Sequence, residues 1–189
     1  MPSESLLRMA KPPGGVNIQG VSVFLAGSIE QNNASKWQDE LLCSYSPSSS
    51  VTVFNPRRDD WDSSWKSEMS FGPFRQQVNW ELDYLDQADV IAVYFEPGTK
   101  SPISLLELGL YCSTGRMVVC CPHGFWRRGN VEIVCMRYNV PFFDTFDEFR
   151  QEVVRRLEDA MQRNLAKEGI PRDIERTFMG SEREVTEAG

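Results

Sequence analysis

The stretch DVIAVYFEPGTKSPISLLELGLYCS (Asp89–Ser113) decides the fold. Its first seven residues, Asp89–Phe95, are almost continuously apolar, with β-branched and aromatic side chains. That pattern predicts a strand covered on both faces. The last twelve, Pro102–Ser113, open like a helix, with Ser101 at the N-cap position and Pro102 at the first helical residue. Gly115 ends that helix. A strand that feeds a helix through a short loop is half of a parallel β–α–β unit.

The same grammar repeats on both sides. VSVFLA (21–26) is a strand ending at Gly27, and Val51–Phe54 is another. Asn32 and Asn33 are candidate caps for a helix over Ala34–Ser44, whose apolar face is Trp37, Leu41 and Leu42. A helix is predicted over Phe74–Gln87, with Phe74, Val78, Leu82 and Leu85 facing inward. Beyond Gly115 come a strand at Met117–Cys121, a short helix at Asn130–Met136, a strand at Val140–Phe143 and a long helix at Phe146–Leu165. The fold class is therefore α/β: a flavodoxin/Rossmann-like, doubly wound, five-stranded parallel sheet in three α/β/α layers. Residues 1–18, with Pro2, Pro12, Pro13, Gly14 and Gly15, read as a flexible arm, 19–166 as the domain and 167–189 as a polar tail. In such sheets ligands bind at the carboxyl ends of the strands. Here those ends are AGSIE, NPRRDDW, FEPGTKS and CPHGFWRRG.

Composition narrows the chemistry. The 189 residues suffice for one domain with a sizeable core. Lys and Arg number 20 against 27 Asp and Glu, giving a net charge of −7. That balance disfavours a nucleic-acid polymer or an anionic membrane as partner. No apolar run approaches the roughly 20 residues of a membrane span, and no signal peptide is expected. His123 is the single histidine, which removes multi-His zinc sites. The five cysteines (Cys43, Cys112, Cys120, Cys121 and Cys135) form no CxxC pair. They read as free thiols in a reducing cytoplasm.

Two glutamates stand out. Glu107 shares a helical stripe with Ile103, Leu106, Leu110 and Tyr111, read as the sheet-facing side. Burial disfavours its anion while the helix N-terminal field favours it, and such opposition poises a carboxylate for reaction. The competing reading is an acid paired with an Arg or an amide. Glu81 lies at the edge of the preceding helix's apolar face, where a solvent-reaching side chain is the competing reading. Together they suit displacement at an anomeric carbon, with one nucleophile and one assistant.

FLAGSI (24–29), WELDYLDQADVIAVYF (80–95) and SPISLLELG (101–109) resemble the nucleoside 2-deoxyribosyltransferase superfamily, which also includes nucleoside monophosphate N-glycosidases. The similarity covers roughly residues 20–145, while NPRRDDWD and PHGFWRRGNVEI mark a divergent branch. The resemblance implies Glu107 as a nucleophile that attacks C1′ and forms a covalent glycosyl-enzyme. It places Glu81 where the transferases usually carry Asp, and Gly27 and Ser28 at the turn that approaches the sugar or its 5′ substituent. Phe24 stands where relatives often show Tyr. Ser101, six residues before the nucleophile, matches the hydrolases, which bind phosphate there, rather than the Asp of base-exchanging enzymes. Glu30 opposes this, since phosphate-binding relatives have a basic residue at its position.

Asn55, Arg57 and Arg58 follow the second strand and are candidate substrate contacts, the arginines as a phosphate clamp. The alternative is pairing with Asp59, Asp60 or Asp62, a trio that either holds Mg²⁺ or caps a solvated turn. Trp61, Trp65 and Trp126 stack on a base or pack a lid. Asn130 contacts ligand or starts a helix, and His123 reads as a surface side chain. The expectation is an N-glycosidase or 2-deoxyribosyltransferase-like enzyme on nucleosides or nucleotides, without metal or organic cofactor. Alternatives are a catalytically weak nucleotide-binding sensor and an NAD-type glycohydrolase. The resemblance further implies a homodimer or higher homo-oligomer, with MRYNVPFF (136–143) as the partner-facing guess.

Overall fold

The computed structural model describes residues 6–29, 35–43, 45, 47, 50–58, 60, 62 and 64–168, with side chains to 166. Asn32, Asn33, Glu30, Asp59, Trp61 and the tail beyond 168 lie outside the described residues. The elements are β1 (Leu7–Ala10), β2 (Val21–Gly27), α1 (Trp37–Leu41), β3 (Val51–Phe54), α2 (Gly72–Gln87), β4 (Val90–Tyr94), α3 (Pro102–Tyr111), β5 (Met117–Cys120), α4 (Arg128–Tyr138), β6 (Phe142–Phe143) and α5 (Phe146–Glu168). A 3₁₀ turn, Cys112–Thr114, extends α3.

All strands are parallel, in the order β1-β3-β2-β4-β5-β6. The last five reproduce the expected doubly wound order. The sixth, β1, arises inside the stretch read as an arm. LRMA is too short and too mixed to announce a strand, and it forms by pairing with β3, from Leu7 opposite Val51 to Ala10 opposite Phe54. The segment behind it is strapped to α2, where Trp80 Nε1 donates to the Gly14 carbonyl at 2.8 Å and the Val16 amide to Tyr84 Oη at 3.0 Å.

Alternation along β2 builds two cores. Val21, Val23 and Leu25 pack with Trp37, Leu41, Phe149, Val153 and Leu157 from α1 and α5. Phe24 and Ala26 pack with Trp80, Leu85, Leu108, Tyr111, Val131 and Cys135 from α2, α3 and α4. Burial of such side chains stabilises the fold by about 1.5–3 kcal/mol each. Four of the five cysteines are buried free thiols; Cys43 is exposed.

The inward faces of two helices differ from the expectation. On α3, Ile103, Leu106 and Leu110 face outward, at 59%, 59% and 54% exposure, while Ser104, Glu107, Leu108 and Tyr111 face the sheet. PISLLELGLY is apolar nearly all round, so periodicity could not tell inside from outside. On α2 the buried residues are Gln77, Trp80 and Leu85; Phe74 and Val78 are half-buried and Leu82 is exposed. The indole of Trp80 won this face through ring contacts with Phe24, Phe54 and Tyr84. Of 136–143, Met136 and Tyr138 are exposed, and Phe142–Phe143 forms β6.

The winding direction reverses at β2, so the carboxyl ends of β2 and its neighbour β4 part and open a crevice.

Candidate active site

Gly27 ends β2 opposite Tyr94, with φ +137°. A Cβ there would stand 2.2 Å from the Tyr94 carbonyl oxygen, so the turn requires glycine. This close approach sets Ser28 in the crevice, where its amide donates to that carbonyl at 2.9 Å. The fully buried Ser28 Oγ accepts the Glu96 amide at 2.9 Å. It also lies 2.7 Å from Thr99 Oγ1 and 2.6 Å from Ser101 Oγ. Thr99 Oγ1 is 3.1 Å from Ser101 Oγ and donates to the Glu96 carbonyl at 2.8 Å. The three hydroxyls thus form one buried cluster against the Glu96 backbone. Ser101 occupies the N-cap position of α3, as the sequence predicts, but in left-handed backbone with φ +43°. Its side chain makes no capping bond; the hydroxyl joins the cluster instead.

Glu107 lies in the second turn of α3, on its buried face, at 7% exposure. Desolvation, and then the charge of Glu81 on the neighbouring helix, push its carboxyl up to about 8. Among the described residues no guanidinium pairs with it and no donor hydrogen-bonds to it. Glu81 is raised less, to about 6, because burial is opposed by a hydrogen bond from Gln77. Gln77 Nε2 reaches Glu81 Oε1 at 2.8 Å and the Pro56 carbonyl at 3.0 Å. The two carboxyls share one region of low dielectric, where ionising one opposes ionising the other. A buried acid with a like-charged neighbour and no cation is uncommon in a purely structural role.

A family model described as "Nucleoside 2-deoxyribosyltransferase like" matches residues 20–125, more than half of the chain. The chain belongs to the nucleoside 2-deoxyribosyltransferase-like family. No curated protein matches the chain. The matched segment runs from β2 through β5 and contains Gly27, Ser28, Gln77, Glu81, Thr99, Ser101 and Glu107. Membership gives the coarse reading: a nucleoside 2-deoxyribosyltransferase-like enzyme with a small-molecule nucleoside as substrate. Among the described residues no helix is long and apolar enough to cross a membrane, and no three His, Cys, Asp or Glu converge as a metal would need.

The other strand-end candidates scatter. Asn55 is buried and closes the β3 exit: its amide donates to the Ala10 carbonyl, its Oδ1 accepts the Arg57 amide at 3.0 Å and its Nδ2 meets Met9 Sδ. Arg57 donates to the Ser35 carbonyl at 3.1 Å. Arg58 grips Asp60 with two bonds of 2.8 Å and covers the Trp65 ring at 4.8 Å, the pairing alternative weighed above. Its partner Asp60 is held below the usual carboxylate range by that guanidinium. Asn130 is exposed in the first turn of α4, and His123 is exposed. Trp126 is exposed, stacks with Arg127 and donates to the Lys100 carbonyl. A groove of about 780 Å³ between the 13–15 segment and α2, walled by Trp80, Asp83 and Tyr84, contains neither acid.

Two contributors escaped the sequence reading. Thr99 was signalled only by its hydroxyl two residues before Ser101. Gln77 was signalled by its place four residues before Glu81, a spacing at which side chains on one helix meet.

Proposed function

We propose that the protein cleaves the N-glycosidic bond of a nucleoside by double displacement, with Glu107 as nucleophile and Glu81 as its assistant. The carrying observation is Glu107 itself: buried, without counter-charge, beside a second carboxylate, on the helix that leaves the carboxyl end of β4. Burial without a cation keeps one proton on the pair near neutral pH. When that proton rests on Glu81, the Glu107 carboxylate attacks C1′ and the bond pair leaves with the base, which takes up a proton. Water or an acceptor base then attacks C1′ from the opposite side, loses a proton, and releases the Glu107 carboxylate. Two inversions retain configuration.

Self-association belongs to the same reading. The outward ridge of Ile103, Leu106 and Leu110, on the helix that carries Glu107, supports a face covered by another copy.

The test is incubation with 2′-deoxynucleosides, ribonucleosides, nucleoside 5′-monophosphates and NAD, with and without an acceptor base, followed by chromatography of free base. Release from nucleosides without acceptor is hydrolysis; exchange without net release is transfer. Binding without turnover of any of them would make the protein a sensor and remove the mechanism.

A further inference from the structure

Gln77 sits on α2 at 5% exposure, one turn before Glu81. Its amide orientation is forced. Both groups within reach of one end, the Pro56 carbonyl and the Glu81 carboxyl, accept hydrogen bonds, so Nε2 must face them. The other end, Oε1, is buried and has no hydrogen-bond partner among the described residues. A buried acceptor left without a donor is destabilising, and in folded proteins such atoms are few. This one belongs to the side chain that holds the nucleophile's neighbour.

An in-line displacement puts the nucleophile and the leaving base on opposite sides of C1′. Groups beside the carboxyl pair therefore meet the sugar and not the base. The donors a nucleoside sugar offers are its hydroxyls. Resting on the glycosidic reading above, we propose that Gln77 is a specificity residue, its Oε1 accepting a hydrogen bond from one sugar hydroxyl while its Nε2 positions Glu81. The single amide then couples recognition of the sugar to placement of the acid pair.

The experiment compares wild type, Gln77→Met and Gln77→Glu on a purine and a pyrimidine nucleoside, each also as its 2′-, 3′- and 5′-deoxy analogue. Met keeps the length and removes both polar ends, whereas Glu keeps an acceptor oxygen. In wild type, loss of one particular hydroxyl lowers kcat/KM about tenfold or more. In Gln77→Met that one ratio collapses toward unity, and the ratios for the other two hydroxyls persist. Gln77→Glu retains the ratio but shifts the acid limb of the pH profile upward, because it has lost the donor to Glu81. A Gln77→Met enzyme that is slowed equally on every analogue overturns the proposal, as does a wild type indifferent to all three hydroxyls. The wild-type comparison decides even if Gln77→Met does not fold. Glycosidic turnover abolished by Glu107→Gln, together with unchanged ratios in Gln77→Met, sinks this inference and leaves the proposed function standing. Absence of turnover on every nucleoside sinks both.

Discussion

Two groups of carboxylates in this chain teach opposite lessons. On α5, Glu152 takes Arg155 at 2.7 Å and Arg156 at 3.0 Å, and Arg155 also takes Asp159 at 2.6 Å. Those guanidiniums hold Glu152 below the usual carboxylate range. Between α2 and α3, burial pushes Glu81 and Glu107 the other way, and among the described residues the help comes from a neutral amide. The first arrangement fixes a charge at a surface and asks nothing of it. The second keeps a charge unsettled in a place that water reaches poorly. The proposed reaction is assigned to the place where the fold has left the electrostatics unfinished.

The contrast is broken most sharply by Glu107→Gln. Base release from nucleosides should fall by about 10⁴-fold or more with the circular dichroism unchanged, as for loss of a covalent nucleophile. Glu152→Gln should leave turnover at the wild-type level. Next in size is the effect of Glu81→Gln, about 10–100-fold on kcat/KM with a displaced pH profile. Wild type should lose activity as the pH falls through about 6, where the pair takes its second proton. With Glu81 neutral, the charge must sit on Glu107, so the limb moves up. It stays below about 8, since the repulsion from Glu81 is gone. An unmoved limb would show that the two acids do not share a proton.

Stability sharpens the same comparison. The carboxyl of Glu107 titrates higher in the folded chain than in the unfolded one, so the fold binds that proton more tightly. Its contribution is fully present below the ordinary carboxylate range and is lost as pH rises toward about 8. Urea unfolding should therefore show Glu107→Gln more stable than wild type by about 2–4 kcal/mol at pH 8, with the gain shrinking toward pH 5. Glu152, whose folded value is lowered, has the opposite sign: Glu152→Gln should cost under about 1 kcal/mol at pH 7, and the cost should vanish in acid. The smallest effect on stability, within about 0.5 kcal/mol, is expected for Leu106→Glu on the outer ridge. Sedimentation velocity should nevertheless show that variant shifted toward monomer.

The architecture was legible because the apolar strands VSVFLAG and DVIAVYF have no other way to fold. Glu107 was legible because a carboxylate amid leucines is conspicuous whichever side of the helix faces in. Which side faced in was not legible, for the same reason: leucines on every side erase the period. Gln77 stayed hidden because an amide on a polar helix looks like surface until its carbonyl oxygen is found buried without a donor. Ser101 was found for its place before a helix, yet its hydroxyl serves a cluster assembled from residues some seventy positions apart. No local pattern encodes such a meeting.

The pairing of β1 with β3 has a practical side. Ala10 supplies the carbonyl that holds the Asn55 amide, and Met9 lies against the same asparagine. Anyone trimming the leading residues as dispensable would bare a hydrophobic sheet margin to neighbouring molecules and loosen the exit of β3 at once. Recombinant versions begun at the first residue of β2 should therefore precipitate more readily and lose the ordered turn at Asn55–Arg57.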